Sequence, residues 1–209
     1  MRMEKISSSV CEIGDIKPLI NTEYKRILLV KPSSLGDILH AFPAFYLLKK
    51  SLPNAKIDWV VNSSLSSILS YIRPDLNRVI NFRRNDFKTA KNAPKALLNI
   101  VLGLRRHSYD LAIDMQGLLR SSMMTFVSKA DQKVGFSEVK EKFSGVLYNK
   151  RIEIPNNIVH AIEKNCYLIA NLLGIKYAIP DFILPISQNV NIEDLLKKNS
   201  LHTNEKYVC

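Results

Sequence analysis

Two hydrophobic rhythms alternate along the chain from residue 26 onward. Arg26–Lys31 (RILLVK) is a short continuous apolar run, as in a parallel strand covered on both faces. After a polar loop, Ile38, Ala41, Phe42, Phe45 and Leu48 recur at helical spacing. Pro43 is expected to kink that helix or confine it to a short first segment. Lys56–Val61 (KIDWVV) reads as a second strand, Ser64–Tyr71 as a helix stopped by Pro74, and Arg78–Phe82 (RVINF) as a third strand. Lys91–Arg106 sets Ala96, Leu97, Ile100, Val101 and Leu104 on one helical face. A fourth strand, Tyr109–Asp114, and a helix over Leu118–Val127 follow. Lys133–Phe136 is a short apolar piece, and Ile158–Leu173 an amphipathic helix that Gly174 is suited to close.

Strands alternating with helices predict an α/β fold, a Rossmann-like doubly wound parallel sheet. Ligands of such sheets bind beyond the carboxyl ends of the strands, which singles out the loops Lys31–Asp37 and Met115–Gly117. Residues 1–23 show no sustained period and read as a leader, and residues 24–175 as one domain. Residues 176–209, with Pro180, Pro185 and a closing KYVC, read as a linker and the start of another unit.

A hydrophobic content of 46% with 23% charged residues is ordinary for a soluble protein with a real core. There is no apolar run of about 18 residues and no secretory h-region near the N-terminus. Cys11, Cys166 and Cys209 lie far apart, which argues against a disulfide framework or zinc site and for a reducing, cytoplasmic setting. The net charge of +11 is the outlier and asks for an anionic partner: nucleic acid, an acidic membrane face or a phosphorylated substrate. A Lys-rich proteome explains it equally well. With 8% aromatic residues and no RNP, zinc-finger or helix-turn-helix pattern, nucleic acid gains no further support.

Ser33-Ser34-Leu35-Gly36-Asp37 joins a strand to a helix. Gly36 allows a ligand close to the backbone, and the helix N-terminus favours negative charge. Asp37 is expected to stay ionised there and could serve a sugar hydroxyl as general base. Ser34-x-x-Asp37 equally matches a capping-box-like arrangement, and spacing alone favours that cap. Asp114-Met115-Gln116-Gly117-Leu118-Leu119-Arg120-Ser121 forms a second corner at the same edge, where Gln116 offers an amide and Arg120 a cationic fork. An ordinary turn explains it as well. Arg83, Arg84, Lys88, Lys91 and Lys95 crowd together after the third strand, suited to phosphate or simply to solvent. His160 and Lys164 share a helical face by their spacing.

In combination, K-P-S-S-L-G-D-I-L-H-x-x-P, D-x-Q-G-L-L-R-S-S, V-G-F and H-A-x-E-K resemble the bacterial ADP-heptose:lipopolysaccharide heptosyltransferases of glycosyltransferase family nine, most closely the heptosyltransferase I type. The resemblance spans Arg26 to Ile175 in the family's order. It implies a GT-B architecture: an N-terminal domain for the Kdo-lipid A acceptor, a C-terminal domain for the donor ADP-heptose, and inverting transfer without a metal or other cofactor. Asp37 then falls on the family's general base, and Lys31, Ser33, Ser34 and Gly36 on the loop that meets substrate phosphates. Gln116, Gly117 and Arg120 match the second corner. Arg83, Arg84 and Lys88 match a basic segment gripping acceptor phosphates, though RRNDFK is a looser version of it. His160 and Lys164 match a His and a basic residue near the acceptor.

The family's donor domain, with its D-[ST]-G-x-x-H signature, has no counterpart in these 209 residues. The expectation is therefore an N-terminal half, truncated or split, with a separately encoded C-terminal half as a candidate partner. Peripheral contact with the inner face of the cytoplasmic membrane is expected too. The alternative is a non-catalytic module that binds anionic lipid A–Kdo.

Overall fold

The computed structural model describes residues 24–87, 93–138 and 144–180. Among the described residues there are six strands: β1 (Arg26–Val30), β2 (Lys56–Asn62), β3 (Arg78–Phe82), β4 (Leu111–Asp114), β5 (Gln132–Phe136) and β6 (Lys150–Ile152). The α-helices are α1 (Leu35–Leu39), α2 (Phe42–Ser51), α3 (Ala93–Arg105), α4 (Leu119–Val127) and α5 (Ala161–Leu173). The strands pair in the order β3-β2-β1-β4-β5-β6, every pair parallel. The predicted α/β class and parallel sheet are what the chain adopts.

Continuous apolar strands leave both sheet faces to be covered, and two separate cores do so. Ile27 and Leu29 of β1, with Trp59, Val61 and Ile113, face a core completed by Phe42, Phe45 and Leu48 of α2 and Leu168 and Ile169 of α5. The intervening Leu28 and Val30, with Val60 and Ala112, face Ile100 and Leu104 of α3 and Met124 of α4. The period-2 alternation within β1 therefore divides between two helical layers rather than between core and water.

Pro43 acts as a divider between helices rather than a kink. It stands in the first turn of α2, where its missing N–H costs nothing, and α1 ends at Leu39. The stretch expected as a helix over 64–71 is a 3-10 helix over Ser63–Asp75 that runs through Pro74. α5 begins at Ala161 rather than at 158, because His160 is its cap, and Gly174 closes it with a φ of 65°. β6 was missed, a three-residue edge strand too short to carry a period. Beyond α5, Ile175 and Tyr177 continue the packing, with Tyr177 against the ring of Tyr167. Residues 1–23 and 181–209, with the leader and the closing KYVC, lie outside the described residues.

The amino edge of the sheet carries a buried polar network. Asp58, fully buried on β2, accepts hydrogen bonds from Tyr109 Oη at 2.7 Å and Asn77 Nδ2 at 2.6 Å. Arg78 Nε meets it at 3.3 Å and Arg26 Nη1 at 3.9 Å. Arg26 and Arg78 open β1 and β3, and Asp58 is the register partner of Arg78, so the sheet itself assembles the cluster.

Candidate active site

Chain order around the sheet fixes where a site can form. From β1 the chain crosses to β2 on one side, and from β4 to β5 on the other, although β1 and β4 are neighbours. The loops leaving these two strands therefore diverge and open a crevice at the carboxyl edge. They are the two loops that the sequence brought forward.

Lys31 ties them together. Its side chain is buried, and Nζ donates to the Met115 carbonyl at 2.6 Å, so the cation bridges the first loop to the second. Asp37, in the first turn of α1, takes the Ser34 N–H at 2.9 Å and the Ser34 hydroxyl at 3.1 Å, both on Oδ2. The capping box expected from Ser34-x-x-Asp37 is present. A second partner comes from the other loop, since the Gln116 amide also hydrogen-bonds Asp37.

Partial burial pushes the Asp37 carboxyl upward. The Ser34 N–H, the Lys31 cation, the Ser34 hydroxyl and Gln116 outweigh it, and the net shift is downward. α1 has only five residues, so the carboxylate is held ionised by one N–H, one hydroxyl, one amide and one buried ammonium. The Oε1 of Gln116 is buried and has no hydrogen-bond partner among the described residues. A buried acceptor left unpaired costs free energy that a ligand hydroxyl would recover. Gly36 lies beside it on α1, exposed, with no atom within 4 Å of where a Cβ would stand. That side of α1 is open space.

The second corner is rigid because it hangs on a buried carboxylate. Asp114 Oδ1 accepts the N–H groups of Gln116 at 2.7 Å and Gly117 at 3.1 Å, and its Oδ2 accepts the Tyr148 hydroxyl at 2.7 Å. Burial raises the Asp114 carboxyl above its ordinary range despite those donors. Gly117 needs its glycine, since its φ is 69°. Gly135, the glycine of V-G-F, is required for a different reason. A Cβ there would lie 2.5 Å from the Tyr148 ring that reaches Asp114. Gly135→Ala is therefore expected to displace Tyr148 and lower stability by about 1–3 kcal/mol, the usual range for overpacking. Thermal melting of the variant beside Tyr148→Phe checks this, and an unchanged midpoint for Gly135→Ala would refute it.

The remaining predicted residues take different places. Arg120 is exposed in the first turn of α4, where a cation opposes the helix dipole, so its placement does not serve the helix. Ser33 is half-buried, and with Arg120 it lines a groove of about 920 Å³ between α3 and α4. His160 caps α5, with Nδ1 accepting the Ile162 N–H, and its ring lies 5.3 Å from that of His40 just beyond α1. Lys164 is half-buried one turn later. Arg83 is exposed after β3, with β2 between its strand and β1. Arg84 lies in a 3-10 turn over Arg84–Phe87, and Lys88 lies outside the described residues.

Sequence reasoning passed over His40, Asp114 and Tyr148. His40 stood inside the quoted motif three residues after Asp37, which was the available signal. Tyr148 gave none, being 34 residues from its partner. Cys166 is fully buried, and burial followed by Glu163 pushes its thiol up to about 12, too high to act as a nucleophile. Among the described residues no group of three or more His, Cys, Asp or Glu is placed to hold a metal ion, and no helix is long and apolar enough to cross a membrane.

Comparison with known proteins places these features in context. Residues 98–207 match the family model for glycosyltransferase family 9 (heptosyltransferase). Lipopolysaccharide heptosyltransferase 1 of Pseudomonas aeruginosa is 31% identical over 165 residues, 76% of this chain and 45% of the relative. The Escherichia coli K12 protein of the same name is 31% identical over 156 residues, 71% of this chain and 48% of the relative. The structure of E. coli heptosyltransferase WaaC with ADP-2-deoxy-2-fluoro heptose superposes with a TM-score of 0.64 at 30% identity, over 76% of this chain and 51% of that one. A family 9 glycosyltransferase from Veillonella parvula shares the fold, with a TM-score of 0.70 at 17% identity, over 92% of this chain and 53% of that one. The chain thus spans about half the length of the relatives it matches.

Proposed function

The chain belongs to glycosyltransferase family 9, the heptosyltransferases, and from that premise we propose that residues 24–175 form the acceptor-binding domain of a lipopolysaccharide heptosyltransferase. In this reading the acceptor is Kdo-lipid A, the donor is ADP-heptose, and the transfer inverts the anomeric centre and uses no metal or other cofactor. The observation that carries it is Asp37: an ionised carboxylate at the crevice between β1 and β4, beside a Gln116 Oε1 that lacks a donor among the described residues.

The acceptor hydroxyl approaches over Gly36 and is oriented by Gln116. Its oxygen forms the new bond to the anomeric carbon of the heptose. The bond from that carbon to the diphosphate breaks, ADP leaves with the electron pair, and Asp37 takes the hydroxyl proton. A carboxylate of lowered pKa is a weak base, suited to accepting the proton late, once the C–O bond is largely made. Lys31 keeps Asp37 charged and its loop in place. Arg120 and Ser33 bind acceptor phosphate, Lys164 and the Nε2 of His160 contact its acidic sugar, and Arg83, Arg84 and Lys88 supply further cations. The charge of +11 draws the protein to the anionic inner face of the cytoplasmic membrane, where the acceptor lies. A C-terminal half, supplied in the same chain or by a separate one, would bring the donor.

The test is to incubate the chain with ADP-heptose and Kdo-lipid A, alone and with the donor-binding half of a relative, and to weigh the lipid by mass spectrometry. Heptosylated lipid in either mixture is the expected result. Acceptor binding without product in both would favour the binding module, and no acceptor binding at all would remove both readings.

A further inference from the structure

The groove between α3 and α4 is too apolar and too open to be explained by packing alone. Leu97 and Val101 of α3 and Leu119 and Met123 of α4 form its walls, and Leu97 and Met123 remain about half exposed, at 51% and 50%. Leu98 and Leu102 extend the apolar arc of α3 further outward, well beyond the stripe needed to cover the sheet. Contiguous exposed apolar surface of this kind marks a binding site. Its polar lining residues are Ser33, in the loop after β1 that also leads to Asp37, and Arg120, in the first turn of α4, both at the carboxyl edge of the sheet.

We propose that this groove holds a fatty-acyl chain of the anionic lipid acceptor, with the phosphorylated headgroup at Ser33 and Arg120. The proposal rests on the reading of the acceptor as a lipid. Charge supports it: neither α3 nor α4 carries an Asp or Glu, whereas Lys95, Arg105 and Arg120 do carry charge there. A volume of about 920 Å³ is within the range of about 300–1,000 Å³ usual for small-molecule sites. A second copy of the chain fits less well. A two-fold interface on this face would set the cations of α3 and α4 against their own copies with no carboxylate between them.

The test uses the full chain and a monomeric lysophosphatidylglycerol with a myristoyl chain, below its micelle concentration, against glycerophosphoglycerol, the same headgroup without the chain. Calorimetric titration is expected to show saturable lysolipid binding at least roughly tenfold tighter than headgroup binding, since burying a few methylenes suffices for that ratio. Leu97→Gln with Met123→Gln should bring lysolipid binding down to the headgroup level with no change in melting temperature. Equal binding of the two ligands by wild type, or unaltered lysolipid binding by the double variant, would overturn the proposal. So would binding to anionic vesicles alone, which would make the face a bilayer contact, or a dimer that the double variant dissociates. A parallel arm compares Kdo-lipid A with its acyl-stripped form in the transfer assay. Equal KM values for the two would sink the groove and leave the transferase reading standing. Lysolipid binding without any transfer would do the reverse.

Discussion

Replacing Asp37 by Asn is expected to slow heptose transfer by about 10²–10⁴-fold, the range over which a positioned general base contributes, with little loss of stability. The asparagine keeps an oxygen that can accept the Ser34 N–H, so the capping arrangement at the start of α1 survives. What it loses is the negative charge that Lys31 faces and, in the proposed reaction, the basic oxygen that would take the acceptor proton. Product formation per folded molecule, followed alongside thermal melting, separates the two roles. A large fall in melting temperature with near-normal turnover would leave Asp37 as a cap and nothing more. The pH dependence provides a second readout. Because the folded pKa of Asp37 lies below its ordinary value of 3.8, the carboxylate is charged throughout the neutral range. Its contribution to stability is present above that ordinary value and is lost as pH falls through the folded one. Wild type and Asp37→Asn should therefore converge in stability only in strong acid. Any acid limb in the transfer rate between pH 5 and 7 must therefore come from a group other than Asp37.

The parts of this site that could be read from sequence are those built from contiguous residues. Lys31–Asp37 and Asp114–Arg120 each sit where one strand meets one helix, so hydrophobic period located them and the turn residues marked their edges. That both belong to one crevice follows from strand order, because β1 and β4 are sheet neighbours while 80 or so residues separate them in the chain. The supports were not legible. Tyr148 reaches Asp114 from a segment with no sustained period, and the space it occupies exists only because Gly135 lacks a side chain. Nothing in the sequence marked the Lys31 ammonium as buried against the Met115 carbonyl. The outward apolar arc of α3 was visible as Leu98 and Leu102, but helical period alone reports one face and gives no reason to ask what covers another.

The converse experiment lies at the opposite edge of the sheet. Asp58→Ala is expected to destabilise the fold by about 3–5 kcal/mol, the usual consequence of removing one partner from a buried ionic cluster. At roughly 2–4 °C per kcal/mol for a chain of this size, the melting temperature should fall by roughly 6–20 °C. Asp58 is fully buried and answers four groups at once: the Tyr109 hydroxyl, the Asn77 amide and the guanidinium groups of Arg26 and Arg78. Arg78 Nη2 also donates to the Tyr109 hydroxyl at 3.0 Å and to the Gly103 carbonyl at 2.9 Å, so the cluster joins β2 and β3 to the end of α3. Without the carboxylate, two cations face a tyrosine that has lost its acceptor, and nothing in the cluster replaces the lost charge. Asp58→Asn should fall between wild type and Asp58→Ala, because it retains an oxygen for Asn77 and loses the attraction to both arginines. Transfer per folded molecule at a permissive temperature should remain close to wild type, since the crevice at Asp37 draws on the carboxyl ends of the strands and this cluster on their amino ends. A melting midpoint unchanged in Asp58→Ala would show that the arginines find water as good a partner. A selective loss of transfer would show that the two edges of the sheet are coupled.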